Sequence, residues 1–330
     1  MADLQTLLDS LRETSAMAAK LAIQHPARAL QVQPLSLDEA YALPGDDTAA
    51  IRCGELYQLL AIEGMLPAFV DQAPWFAGWS AVMANVSDIT AMGGRATAVV
   101  NAYWHHDLDA ADKVLAGIRA ACDAYGLILA GGHTSQALGN PAALAVAITG
   151  WARNVLSTLH VAPGQTLAIV VDLDGQWHGD TPYWKAFEGV PGERLREKLD
   201  VIPRLAEAEL LRAAKDISNA GILGTLLMLL EPTGCGTSID LDALPRPADA
   251  PLERWLQTFP SYGFLLTLNP RDLPTVQAAF EFEGLHCAAI GMVDDSAHVH
   301  VSHQGQTAEF WNLARRPFTG LHYPLLIKEH

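Results

Sequence analysis

Five short stretches of this chain set acids or glycines against apolar neighbours: PGDDTAA (44–50), AIEGM (61–65), NVSDITAMGG (85–94), AGGHTS (130–135) and KDISNAG (215–221). If Asp46, Asp47, Glu63, Asp88 and Asp216 converge, they form an oxygen-rich site for a hard cation. Magnesium suits such a set, because it takes one or two protein carboxylates and completes its shell with phosphate oxygens and water. Asp88 is the most informative of the five. It interrupts GWSAVMANVSDITAMGG, which otherwise reads as buried helix, and shares a helical face with Ala81, Asn85 and Met92. A helix buries a carboxylate readily only with a partner, so Asp88 is expected to hold a metal with Asn85 as its hydrogen-bonding neighbour. The turn AGGHTS offers backbone N–H groups unobstructed by side chains, the means by which Gly-rich loops cradle phosphate.

Taken singly, each stretch is ordinary: GDD is commonly a solvated turn, GGH a tight turn, and a helical Asp exposed or capping. Their order and spacing carry the information, and so do the elements that must position them. Strand-like runs fall at 56–63 and 97–104, with a helix over 78–92 between them. Val114, Ile118 and Cys122 mark a helix over 109–125 that Gly126 ends. LILAGG and ALAVAITG follow as strands, 153–165 reads as a domain junction, and TLAIVV opens a second set. Residues 176–200 read as a polar, aromatic insertion or lid. Helices are expected over 203–214 and from SNAG to Glu231, then strands at 263–268 and 286–293. Strands and helices mix without strict alternation, which predicts an α+β fold of two domains, 1–154 and 155–330.

Composition limits the function classes. The formal charge of −16 argues against nucleic acid, whose binding needs a basic surface, but permits a nucleotide carried with a metal. No apolar run reaches 18 residues, so no membrane partner is expected. The N-terminal stretch is acidic and amphipathic rather than signal-like, which predicts a cytoplasmic protein. Cysteines 53, 122, 235 and 287 form no CxxC pair and read as ordinary thiols. Neither G-x-x-x-x-G-K-[ST] nor G-x-G-x-x-G in a strand–helix context occurs.

The ordered series GDD, N-x-S-D-x-x-A-M-G, GGHT, APG before a strand, and D-I-S-x-x-G resembles the aminoimidazole ribonucleotide (AIR) synthetase superfamily over about residues 40–295. That superfamily includes thiamine-monophosphate kinase and selenophosphate synthetase, and the chain looks nearest to an "AIR synthase-related" branch. The resemblance implies a two-domain α+β fold whose N-terminal domain pairs with a second copy to close a β-barrel, with ATP near that contact. It implies Asp47, Asp88 and Asp216 as Mg²⁺ ligands with Glu63 beside them. Asp47, Asn85, Gly131, Gly132, His133, Thr134 and Ser218 would lie at the nucleotide, and His133 would donate to phosphate or transfer a proton. The implied function is transfer of the γ-phosphoryl group of ATP to a small-molecule acceptor by a homodimer. The alternative is a nucleotide-binding regulatory or assembly protein without turnover.

The chain departs from its relatives at defined places. The loop is GGHT where the kinase has GGDT, and Asn219 stands where the kinase has a second Asp. Residues 1–40 lack the Cys and Lys segment expected of selenophosphate synthetase, and the end, PLLIKEH, lacks a Cys-bearing tail. WHGDTPYWK (177–185) reads as an acceptor pocket or as a loop docked by its aromatics. His298 and His300 share a strand face, as a metal pair or a solvated strand, with His303 just beyond. His105 and His106 point to opposite faces of a continuing strand. Arg153 and Lys215 are the nearest basic residues to the motifs and read as surface charge or as phosphate contacts.

Overall fold

The computed structural model describes residues 3–29, 45–136 and 139–322, and the backbone of 40–42. The segment PLLIKEH lies outside the described residues. Three short helices come first: α1 (Leu4–Arg12), α2 (Ser15–Leu21) and α3 (Gln24–Ala29). The first sheet comprises β1 (Ala40–Ala42), β2 (Ala49–Cys53), β3 (Leu56–Met65), β4 (Arg95–His105), β5 (Ile128–Gln136) and β6 (Ala143–Ala152), in the order β1-β2-β3-β6-β4-β5. Its neighbours pair antiparallel except β4 and β5, which run parallel. Parallel strands need a crossover, and α6 (Leu108–Tyr125) supplies it; α4 (Pro67–Gln72) and α5 (Pro74–Ala91) lie between β3 and β4.

One face of this sheet is covered. Along β6, Leu144, Val146, Ile148 and Ala152 are buried, while the alternate residues are only partly so. The buried set packs with Val82, Val86 and Ile89 of α5 and with Val114 and Ile118 of α6. Two glycines let the helices approach. A Cβ on Gly78 would lie 2.1 Å from the Val114 carbonyl oxygen, and one on Gly117 2.1 Å from that of Trp75. The other face leaves Leu60, Ile62, Val100 and Trp104 exposed.

The second sheet runs β13-β12-β9-β11-β7-β10-β8, from β7 (Thr166–Val171), β8 (Ala213–Asp216), β9 (Gly236–Asp240), β10 (Gly263–Leu268), β11 (His286–Asp294), β12 (His298–His303) and β13 (Gln306–Asn312). With it go α7 (Gly192–Glu207), α8 (Gly221–Leu230), α9 (Leu252–Leu256) and α10 (Leu273–Phe282). A two-domain α+β fold is therefore observed. No helix among the described residues is long and apolar enough to cross a membrane.

Three expectations need correction. Leu4, Leu8, Leu11 and Met17 pack into the core of the second sheet, not with the N-terminal half to which 1–154 assigns them. The helix expected over 203–214 starts at Gly192 and contains Pro203. Its buried face, Leu195, Ile202, Leu205 and Ala206, outweighs the proline's lost N–H. Its charged face also meets partners: Arg95 binds Asp200 and Glu207, both at 2.6 Å. The lid reading of 176–200 is accordingly confined to the loop before this helix.

The chain's last described stretch is anchored by Glu231, which follows α8 and is 2% exposed. Its carboxylate accepts from the backbone N–H groups of Phe318 (2.7 Å), Thr319 (2.7 Å) and Gly320 (3.0 Å), and from the Thr319 hydroxyl (2.5 Å). Charge-assisted bonds of this kind are each worth about 1.5–3 kcal/mol, and their loss strands buried donors. Glu231→Ala is expected to destabilise the protein by about 3 kcal/mol, read as a lowered midpoint in urea, and to expose 317–321 to proteolysis.

Candidate active site

Asp47, Asp88 and Asp216 meet. Each offers a carboxylate oxygen, and the three oxygens lie within 4.8 Å of one another. They come from three elements: the turn before β2, the buried helix α5 and the end of β8. Asp216 donates its backbone N–H to Asp47 Oδ2 at 3.1 Å. The preceding residue, Lys215, donates its ammonium group to Asp47 Oδ1 and to the Gly45 carbonyl at 3.1 Å. Lys215 is 4% exposed, so its reading as surface charge is corrected: it is the buried counter-ion of the cluster.

The electrostatics show how incomplete that compensation is. Burial, then the charges of Asp216, Glu63 and Asp47, pushes the Asp88 carboxyl well above the usual range. Asp216 is pushed up to about 8 by burial and then by Asp47, against the pull of Lys215. Burial, with Asp47 adding to it, also raises Glu63. Burial alone would lower Lys215, but Asp47 overrides it and the group is raised. Carboxylates held together against their hydration and mutual repulsion favour protons or a cation. The donors are all hard oxygens, so the residues present fit a divalent ion such as Mg²⁺.

The cluster forms one wall of a cavity of about 490 Å³ between the domains. Glu63, Ser218 and Asn219 also line it. Part of its lining is aromatic: Tyr183 stands 5.3 Å from Phe69 and 5.0 Å from Phe259, ring centre to ring centre, and Phe76 adjoins Phe69. WHGDTPYWK thus does two things. Trp177 and Trp184 dock against the buried Trp255, and Tyr183 reaches the cavity.

Several assigned residues lie elsewhere. Asp46 turns away from the metal cluster and accepts from Ser157 Oγ (2.6 Å), the Thr158 N–H (2.8 Å) and Thr158 Oγ1 (2.5 Å), fastening the turn to the domain junction. Asn85 is fully buried, and its amide donates to the carbonyls of Ala81 (2.7 Å) and Val146 (2.8 Å). It ties α5 to β6 and has no surface left for a nucleotide or for Asp88, which corrects both roles given to it. Gly131, Gly132, His133 and Thr134 lie on β5, the exposed edge strand, outside the cavity lining of a single chain. His133 Nε2 is 3.1 Å from Ser135 Oγ, so the catalytic role given to it is not met within one chain. Arg153 is exposed.

The sequence reading missed Lys20. From α2 it lines the cavity, and burial, followed by repulsion from Lys215, lowers its pKa. A lone Lys on a short helix gives no local signal. Only the docking of α2 on the second domain brings it to the acids.

Residues 45–152 match the family described as AIR synthase related protein, N-terminal domain, and residues 164–304 match the corresponding C-terminal domain. The chain belongs to this family, whose members include ATP-using enzymes. An uncharacterized protein of Synechocystis sp. is 41% identical over 318 residues, 96% of this chain and 98% of that one. Among solved structures, T. maritima PurL complexed with ATP matches at TM-score 0.73 and 16% identity, covering 97% of this chain and 55% of PurL. AaThiL complexed with AMPPCP and TMP matches at TM-score 0.63 and 17% identity, covering 88% of this chain and 96% of that one.

The raised carboxyl groups set a pH dependence. Protons must leave before a divalent ion binds, so Mg²⁺ affinity should rise with pH through about 8, the value for Asp216, with the raised Asp88 adding to the rise. Without metal, the folded protein holds protons that the unfolded chain has lost between the ordinary Asp value and about 8. Stability should therefore fall as pH rises across that window, and Mg²⁺ should restore it. Calorimetric titrations from pH 6 to 9, with urea melts in parallel, measure both; an affinity independent of pH would contradict the raised values.

Proposed function

We propose that the protein is an Mg²⁺-dependent ATP-binding enzyme that transfers the γ-phosphoryl group to a small molecule. The observation that carries this reading is the convergence of Asp47, Asp88 and Asp216 in a cavity whose lining is partly aromatic. Bound magnesium would neutralise phosphate charge there. The chain's own residues do the rest. Lys215 fixes the Asp47 carboxylate, while α5 and β8 fix the other two. Lys20 offers a second ammonium group to phosphate oxygens. Ser218, at the turn into α8, provides a hydroxyl near the positive end of that helix, its backbone N–H being donated to Thr225 Oγ1 at 3.2 Å. Tyr183, Phe69, Phe76 and Phe259 form a stacking surface for a planar acceptor and exclude water from the transfer.

The working form in this reading is a homodimer. Leu60, Ile62, Val100 and Trp104 make an exposed apolar face on the first sheet, and β5 leaves an open edge. A second copy closing over that face is the arrangement that family resemblance implies. It would bring the Gly131–Thr134 strand to the site from across the contact.

A second reading, nucleotide binding without turnover, draws support from Asn219 in the cavity wall where the kinase pattern has an acid, and from His133 in place of Asp. Titration with ATP, with and without Mg²⁺, followed by phosphate release across a metabolite panel, separates the two. Release driven by one acceptor supports transfer, tight Mg²⁺-dependent binding without release supports the second, and no binding at millimolar ATP defeats both. Asp88→Asn is expected to abolish Mg²⁺-dependent ATP binding while leaving the far-ultraviolet circular dichroism unchanged. Unaltered affinity would remove Asp88 from the ligand set. Sedimentation equilibrium should give a dimer mass, and Leu60→Asp combined with Ile62→Asp should give a monomer; a wild-type mass of one chain at every concentration would overturn the dimer.

A further inference from the structure

We propose that His298, His300 and Glu309 form a second metal site, for zinc, on the outer face of the second sheet and separate from the carboxylate cluster. Along β12 the alternation is strict: Val299 and Val301 are buried, while His298 and His300 point outward and are partly exposed. Their rings stack 5.8 Å apart at 8°. Across the antiparallel pair, His300 faces Glu309, and Val299 faces Trp311. The extra residue between them, Phe310, makes a β-bulge in β13.

The bulge puts Glu309 where it is. Without it, strict alternation would set Phe310 opposite His300 and turn Glu309 away. With it, Phe310 and Trp311 both enter the core, at 2% and 3% exposure, while Glu309 joins the histidines outside. Bulges re-aim side chains in this way and recur beside functional sites. One donor atom from each of the three residues lies within 4.8 Å of the other two. His298 Nδ1 is already 2.5 Å from Glu309 Oε2, so the two donor atoms that a metal would bind stand together.

Zinc at 2.0–2.1 Å from each ligand requires donors about 3.3 Å apart in a tetrahedron. The side chains of His298 and Glu309, 37% and 46% exposed, have room to rotate to that spacing. Two imidazoles and a carboxylate select a borderline ion such as zinc over magnesium, which prefers all-oxygen ligands. Water would fill the fourth position. The ion would fasten the edge strand β13 to β12.

Calorimetry on the full chain, stripped with EDTA and then saturated with Mg²⁺ to occupy the carboxylate cluster, tests the site with Zn²⁺ as the probe. Wild type should bind one zinc ion, and its unfolding temperature should rise with zinc. His300→Ala and the milder Glu309→Gln should both lose the isotherm and the shift, with circular dichroism unchanged. Asp88→Asn and His303→Ala should keep them. Zinc binding retained in both His300→Ala and Glu309→Gln, or lost in Asp88→Asn, would overturn the assignment.

Discussion

The site depends on one contact, the grip of β8 on Asp47. Lys215 holds one oxygen of that carboxylate and the Asp216 backbone N–H holds the other. Asp47 lies just before β2 of the first sheet and β8 belongs to the second, so the contact joins the domains at the point where the acids meet. Like charges that close together repel strongly in a low dielectric. The juxtaposition holds because Lys215 is buried with them, and because Asp46 fastens the same turn to Ser157 and Thr158. Two adjacent acids thus divide the work. Asp46 is consumed by hydrogen bonds that hold the turn, and Asp47 is left facing the cavity.

From that contact the remaining walls follow. α5 must pass close to β8 to deliver Asp88, and its packing on α6 through Gly78 and Gly117 fixes its path. Asn85 locks the same helix to β6, one turn before the carboxylate. Glu231 holds the chain near Thr319, which borders the cavity. α2 docks on the second core and turns Lys20 inward. Of these, Asn85 and Glu231 are buried, polar and hydrogen-bonded to named partners. A cluster of unscreened carboxylates can persist only within such a rigid surround.

The three metal-cluster acids were legible in the sequence from the order and spacing of their stretches and the family resemblance these carry, to which the local contexts of Asp88 and Asp216 add. An aspartate in an otherwise apolar helix and an acid ending a short buried strand are both costly without a partner. Strand and helix identities were legible from periodicity where one face is buried, as in β6 and α6. Asn85 was misread because spacing puts it on the same helical face as Asp88, but spacing says nothing about Val146, its partner 61 residues away. Pro203 was misread as a helix start because a proline's local preference is stronger than the evidence of a sparse apolar stripe. Lys20 and the buried state of Lys215 were illegible, since both depend on how the domains close.

The charge balance of the cavity bears on the departure at 219. Asp46 apart, four carboxylates face it, from Asp47, Glu63, Asp88 and Asp216, against two ammonium groups, from Lys20 and Lys215. Fully ionised, they leave two negative charges, which one divalent ion neutralises. An acid at 219, as in the kinase pattern, would raise that demand and favour a second ion. With Asn219 the cavity carries less negative charge and so asks for less metal. The raised pKa values of Asp88 and Asp216 express the same balance in the metal-free protein: protons fill the place that a single cation would take. On this reading Asn219 need not disable the site, because two buried or partly buried lysines already line the cavity with the acids.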